Sequence, residues 1–432
     1  MATFTPHDIE ALGARAEAMI NSLGTISAEP DRLVRLFLTP EHRRAADRVA
    51  DWMREAGLEV SEDALGTVRG RYPAAEEGEG RSSAKRLLIG SHIDTVIDAG
   101  MYDGPFGVIA GILAVRHFAR AGRRLPFAID VLAFGDEEGS RFPATLASSS
   151  ACAGVFRADN LALADRDGVT LGDAIAAYGK SVAGIPAAAY RREDVAAYVE
   201  VHIEQGPVLE TRNQPLGVVT AIVGQTYLNI ELLGEAGHAG TVPMLLRRDA
   251  LAGAAEAMLL GETLARETRG EVVATVGRIA IAPGATNVIP ANVVVIFDIR
   301  SGSETARARL AESLKAGIRA IADKRHLALT ITSTREVTTT PCHAQVQDML
   351  GESVRALGAE PVRLNSGAGH DGQAMAKLCP IGMLFVRCRG GVSHNPMEYA
   401  SPRDLGVAVA ALIGFVARFD PGKLSDEGTV GS

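Results

Sequence analysis

Four short, predominantly apolar runs each lead to a histidine or an acid, and this arrangement constrains the chain more than any other feature. RLLIG (86–90) leads to His92 and Asp94, and FAIDVLAF (127–134) leads to Asp136, Glu137 and Glu138. AAYVEVHI (196–203) carries His202 and ends at Glu204, and IGMLFVRC (381–388) runs through RGGVSHNP to His394. Runs of this length and continuity read as strands of a mostly parallel sheet buried on both faces. In open α/β sheets ligands sit beyond the carboxyl ends of the strands. Polar residues placed there repeatedly are therefore expected to converge on one rim.

The pattern changes in the middle of the chain. VVTAIV and TYLNIELLG (218–234) precede a helix-like stretch at 247–268, strands at 271–282 and 292–300, a helix at 303–325 and a strand at 327–333. This ββαββαβ order predicts an α+β unit over 216–333, inserted into an α/β domain made of residues 1–215 and 334–432. Helices are expected near 107–122 and 343–357, and the polar, Gly-rich stretch 72–86 reads as a surface loop. A chain of 432 residues with 47% apolar and 22% charged residues can bury a large core. Its net charge of −8 argues against nucleic acid or an anionic membrane as partner. The four cysteines form no C-x-x-C pair, and neither a leader nor a membrane-length apolar run is legible, so a cytoplasmic setting is expected.

Three histidines with carboxylates and no thiolate suit Mn, Zn, Co or Ni rather than calcium or an iron–sulfur cluster. The count fits two divalent ions. Asp103, in the DGPFG turn, can bridge with its two oxygens, leaving His92, Glu138, His202 and His394 to complete the pair. Asp94 is positioned to accept the second N–H of His92. Glu137 and Glu138 point in different directions if the chain stays extended, so one can bind metal while the other serves as general base. A lone H-x-D or E-E pair is usually ordinary surface; the repetition at strand ends raises the reading above that. His7, His42, His117 and His326 lie in charged or helical surroundings and receive no role.

Gly367-Ala368-Gly369-His370-Asp371-Gly372 matches G-x-G-x-x-G, but it follows several earlier strands and leads into a brief helix, so it reads as a Gly-rich wall rather than a dinucleotide loop. Gly237-His238-Ala239-Gly240, Thr286-Asn287-Val288 and the strand-terminal Arg300 read equally well as ordinary turns and surface or as substrate contacts.

Taken together, GSHIDTV, YDGPFG, DEEGSRF, HIEQGPVLE, GHAGTVPM, TNVIP, DIRS, SGAGHDG and SHNPMEYAS resemble the hydantoinase/carbamoylase-type amidohydrolases, in order over nearly the whole chain. The resemblance implies a homodimer whose protomers each carry a dinuclear metal domain and a smaller lid domain that also forms the dimer interface. It assigns His92, Asp103, Glu138, His202 and His394 to the metals, with Asp103 bridging and manganese the first choice, and Glu137 to proton transfer. It places Gln205, His238, Asn287 and Arg300 on the substrate, with His238 and Asn287 reaching the active site of the neighbouring subunit, His238 supporting the oxyanion there, and His370 in a substrate-side loop. RLFLTPEH, GSHIDTVIDAGMYDG and AGTVPM are more similar to the allantoate amidohydrolases than to enzymes acting on carbamoyl amino acids. Where relatives commonly have Leu-Gly-Ser, this chain has Ala147-Ser148-Ser149, a change expected to alter a turn near the site.

The chemistry so implied is hydrolysis of a ureido C–N bond in a small carboxylated molecule: allantoate first, with N-carbamoyl-L-amino acids or N-carbamoyl-β-alanine as the alternative. A peptidase or aminoacylase of the same broad fold, and a non-catalytic scaffold, are the more distant rivals. Retention of Glu137 together with five ligand-type residues speaks against the scaffold.

Overall fold

The computed structural model describes residues 4–75 and 85–424; most of the polar stretch 72–86 lies outside them. Two compact units emerge, Met1–Thr220 with Cys342–Leu364 and Ala368–Ser432, and Ala221–Pro341 with Asn365–Gly367.

The first unit is built on a nine-stranded sheet. Its centre is parallel: Ala128–Phe134, Arg86–His92, Val195–Ile203 and Ile381–Val386 lie side by side in that order. Antiparallel strands flank them, Val68–Tyr72 and Glu59–Glu62 on one side and Leu216–Ile222 on the other. Strands Ala128–Phe134, Val195–Ile203 and Ile381–Val386 are buried at every residue, because helices cover both faces. Arg86–His92 has its two parallel neighbours on opposite sides, one reached through the helix Pro105–Arg120 and the other later in the chain. The strand order therefore reverses at the strand that ends in His92, the place where doubly wound sheets open a crevice.

In the second unit, Ala328–Val337, Gly224–Leu233, Asn292–Ser301 and Val272–Ala282 form a four-stranded antiparallel sheet. Burial alternates strictly along Asn292–Ser301, as it must when helices cover only one face. Those helices, Ala250–Glu267 and Glu304–Lys324, supply Ala254, Ala257, Leu310, Leu314 and Ile318 to the core.

One expected strand changes place. The VVTAIV run was assigned to the inserted unit, yet it forms most of Leu216–Ile222 and pairs with Ile381–Val386 in the large sheet. Its lack of alternation is the physical reason: nearly every residue is buried, whereas the next strand, Gly224–Leu233, alternates. Among the described residues no helix is long and apolar enough to cross a membrane, and all four cysteines are free and buried.

The helices Pro6–Gly24 and Pro402–Arg418 touch backbone to backbone through Gly13 and Gly406. A Cβ on Gly406 would come within 2.1 Å of the Ile9 carbonyl oxygen, an atom that cannot move alone. Helix propensity by itself favours Gly406→Ala by about 1 kcal/mol. Overpacking of this kind costs about 1–3 kcal/mol or more. Urea denaturation should therefore show Gly406→Ala to be less stable than the parent; a gain in stability would show that the helices part easily.

Candidate active site

The convergence expected from the strand ends is realised. His92 closes Arg86–His92, and His202 lies one residue before the end of Val195–Ile203. Asp103 sits in the turn that starts the Pro105–Arg120 helix. Gly104 adopts φ +82° there, and a Cβ on it would lie 2.4 Å from the His92 ring, so only glycine lets the turn close over that imidazole. Glu137 and Glu138 follow Ala128–Phe134 in a turn where Asp136 has φ 65° and Gly139 φ 60°. His394, with φ 53°, follows Ile381–Val386 by a loop.

Asp103 divides its oxygens between two groups. Oδ1 lies 3.0 Å from His202 Nε2 and 3.5 Å from His92 Nε2. Oδ2 lies 3.3 Å from His394 Nε2, which is itself 3.4 Å from Glu138 Oε2. With metal–ligand bonds of about 2.0–2.2 Å, two ligand atoms on one ion sit roughly 3.0–3.5 Å apart. His92–Asp103–His202 and Asp103–Glu138–His394 each bring three such atoms together.

The ring nitrogens test the fit independently. His202 Nδ1 lies 2.9 Å from the Ile203 carbonyl and His92 Nδ1 lies 3.1 Å from that of Asp94, so each ring donates outward and turns its Nε2 lone pair inward. His202 Nε2 has no hydrogen-bond partner although it is buried and faces a carboxylate oxygen. A lone pair aimed at an anion is resolved by a cation between them.

Charge balance points the same way. Burial, then the negative charge of Asp103, push the Glu138 carboxyl up to about 7. Burial holds Glu137 well above the usual carboxylate range; His92 opposes this, while Glu138, Asp371 and Asp94 add to it. His394 rises to about 9, chiefly through its hydrogen bond to Asp103. Burial alone would raise Asp103 as well, but when the rings beside it carry protons, His202 first and then His394 and His92, they hold it well below the ordinary value. A divalent ion supplies the positive charge that these protons otherwise provide.

The surrounding residues refine several expectations. Asp94 was expected to take the His92 N–H on its carboxylate, but its backbone carbonyl is the closer acceptor, and its carboxylate oxygens accept the Glu137 and Glu138 amides at 3.3 Å each. The side chain thereby fixes the turn that aims both glutamates. Gln205 Nε2 donates to Asp103 Oδ2 at 2.6 Å and to Ser393 Oγ at 3.2 Å. Glu204 steadies that turn by accepting the Val208 and Leu209 amides. His370 is buried with its ring edge-on to His202 at 4.5 Å, so it packs against that imidazole. Burial drives its pKa far down, and it is neutral. The helix after the Gly-rich segment, Gly372–Met375, has only four residues, as that segment's rejection as a dinucleotide loop requires.

Three expected substrate residues belong to the second unit. His238 and Val288 are paired across a two-residue bridge, and Ala239 donates to the Asn287 carbonyl, so His238 and Asn287 lie on neighbouring turns. Arg300 uses Nε and Nη2 on Asp298 and donates from Nη1 to the Gly367 carbonyl. Asp298 also accepts from Gln225, which fixes the plane of the guanidinium.

The Ala147-Ser148-Ser149 departure turns out to need no glycine. Residue 148 lies inside the helix Ala147–Cys152, and the left-handed residue is Leu146. Ser148 Oγ accepts the Gly135 amide at 2.8 Å and donates to the Gly135 carbonyl, tying this helix to the start of the Glu137 turn. Ser393 and Glu398 were not singled out from sequence; both lie in the quoted SHNPMEYAS segment, the one signal available. Removing the hydroxyl in Ser148→Ala leaves a buried Gly135 N–H unpaired. Urea unfolding should register a loss of about 1–3 kcal/mol; no loss would mean that water replaces the hydroxyl.

The chain is similar to several known proteins. Residues 88–418 match Peptidase family M20/M25/M40. The chain is 39% identical to N-carbamoyl-L-amino acid amidohydrolase of Geobacillus stearothermophilus, over 93% of this chain and 97% of that protein. It is 38% identical to allantoate deiminase of Arabidopsis thaliana, over 95% of this chain and 84% of that one. An amidase of the hydantoinase/carbamoylase family from Burkholderia multivorans superposes with a TM-score of 0.87 at 31% identity, covering 94% of this chain and 97% of the other. The chain belongs to Peptidase family M20/M25/M40, a family of metal-dependent hydrolases, and within it to the hydantoinase/carbamoylase-type amidohydrolases.

Proposed function

We propose that this protein hydrolyses the ureido C–N bond of a small carboxylated molecule, allantoate in the first place, releasing ammonia and carbon dioxide. The observation that carries the reading is the division of the Asp103 oxygens between two three-residue groups. We assign one divalent ion to His92, His202 and Asp103 and a second to Asp103, Glu138 and His394. Manganese is the first choice, and zinc, cobalt and nickel suit the same donors.

Such a pair lowers the pKa of water and polarises a carbonyl oxygen. The protein's own residues handle the proton. Glu137, 3.9 Å from His92 Nε2 and not itself needed as a ligand, takes a proton from the attacking water and returns it to the departing ammonia. Burial, which raises its affinity for a proton, suits a group that must hold one between the two steps. The C–N bond breaks, and the carbamate left behind loses carbon dioxide. His238 is assigned to the developing oxyanion, Gln205 and Asn287 to substrate orientation, and Arg300, its plane fixed by Asp298, to the substrate carboxylate.

N-carbamoyl-L-amino acid or N-carbamoyl-β-alanine hydrolysis is the second reading. It is favoured by the near-equal identity to the carbamoylase and the deiminase, 39% and 38%. The second unit is assigned the roles of lid and dimerisation surface. Its Met244, Leu245, Leu246 and Leu259 are exposed, as is much of the edge strand Val272–Ala282, and exposed apolar side chains in such numbers on one unit call for a partner.

The reading is tested by ammonia release from allantoate, N-carbamoyl-β-alanine, several N-carbamoyl-L-amino acids and a dipeptide, with manganese and with a chelator. Chelator-sensitive turnover of allantoate is expected; preference for a carbamoyl amino acid moves the assignment to the second reading, and turnover of the dipeptide alone overturns both. Glu137→Gln should retain metal while kcat falls by about a hundredfold to ten-thousandfold. Near-normal kcat in that variant would remove Glu137 as the proton carrier. Light scattering should give twice the subunit mass, and Leu259→Asp should shift it toward one; a monomeric parent protein would refute the dimer.

A further inference from the structure

Glu398 is a buried acid that neither ligates nor faces the Glu137 turn, and its carboxylate is fully engaged. Oε1 accepts the backbone amides of Tyr102 at 2.8 Å and Asp103 at 3.1 Å. Oε2 lies 2.9 Å from Ser393 Oγ, and the same hydroxyl lies 2.7 Å from Asp103 Oδ2. The loop is shaped to receive it: a Cβ on Gly100 would fall 2.3 Å from Glu398 Cβ. One side chain thus clamps the segment carrying Asp103 to the segment carrying His394. It reaches Asp103 twice, through its amide and, by way of Ser393, through its carboxylate.

The clamp acts on one side of the site. Oδ2, the oxygen that Ser393 holds, faces His394 and not His92 or His202. Those two histidines end well-paired parallel strands and are braced by the carbonyls of Asp94 and Ile203. His394 is on a loop with left-handed backbone, and the Ser393 and Glu398 contacts tie that loop down on either side of it. Loss of the clamp therefore loosens Oδ2 and His394 together and leaves the strand-borne pair in place.

We propose that Glu398 is a positioning residue for the metal pair, holding Asp103 Oδ2 and His394 in register so that the ion of the Asp103–Glu138–His394 group is retained. The inference rests on the two-ion reading above. Its chemistry also predicts which replacement is tolerated. In Glu398→Gln the amide oxygen can still accept both backbone N–H groups. The amide nitrogen then donates to Ser393, whose single proton remains free for Asp103. Glu398→Ala offers neither and buries two unpaired amides.

The test is titration of zinc into chelator-stripped protein against a competing fluorescent chelator, with melting curves to confirm folding. The parent should bind two ions per subunit. Glu398→Ala should keep one ion within about threefold and weaken the other about 10–100-fold, the usual effect of removing a residue that braces a ligand. Glu398→Gln should stay within about threefold of the parent at both. Two undisturbed ions in Glu398→Ala, equal weakening of both, or Glu398→Gln as weak as Glu398→Ala would each overturn the inference while leaving the two-ion reading intact. A parent that binds fewer than two ions would overturn both. Should Glu398→Ala fail to fold, Ser393→Ala and Glu398→Gln decide: the former should weaken one ion and the latter neither, and any other pattern overturns the proposal.

Discussion

A desolvated carboxylate facing three imidazoles is the interaction on which the rest of this structure depends. Asp103 is buried, and burial alone would drive it toward the neutral acid. It stays ionised because His92, His202 and His394 surround it. Each of those rings must then be held at a fixed angle, since an ion pair out of water survives only with good geometry. The parallel sheet supplies two of those angles by ending its strands at the rim. The His394 loop supplies the third and needs separate bracing.

That difference explains what the sequence made legible. A strand end announces itself, because an apolar run stops at a polar residue, and His92, Glu137, Glu138 and His202 could be placed by that rule before any resemblance was invoked. His394 lies well beyond its strand, at the end of a loop, so the same rule marks it less directly. Roles in the inserted unit were less legible still. The turns carrying His238 and Asn287 have no periodicity to set them apart from other glycine-flanked loops, and the resemblance alone singled them out.

Residues that brace the site were nearly invisible, for a physical reason. Ser148 and Glu398 act on backbone distant in sequence, Ser393 on two carboxylates, and Glu204 on the amides of the turn just after it. Such a contact leaves no spacing rule behind. The VVTAIV strand shows the converse: the signal was present in its unbroken burial pattern, but the alternating strand immediately after it drew both into one assignment. Lack of alternation belongs to a sheet covered on both faces, and read that way the strand falls into the larger sheet.

The bracing residues also show how a site of this kind stays buried and still open to a substrate. Four backbone donors of the two turns that carry acids are taken by carboxylates: Asp94 takes the amides of Glu137 and Glu138, Glu398 those of Tyr102 and Asp103. A carboxylate that accepts two amides at once is rigid, and it places negative charge beside, not within, each ligand group. Additional negative charge makes each group a stronger cation trap, while its hydrogen bonds keep it from competing as a ligand. Asp94 thus fixes the turn of Glu137 and Glu138, and Glu398 that of Asp103. Strand ends place His92 and His202, and these carboxylates hold the turns that the sheet does not reach.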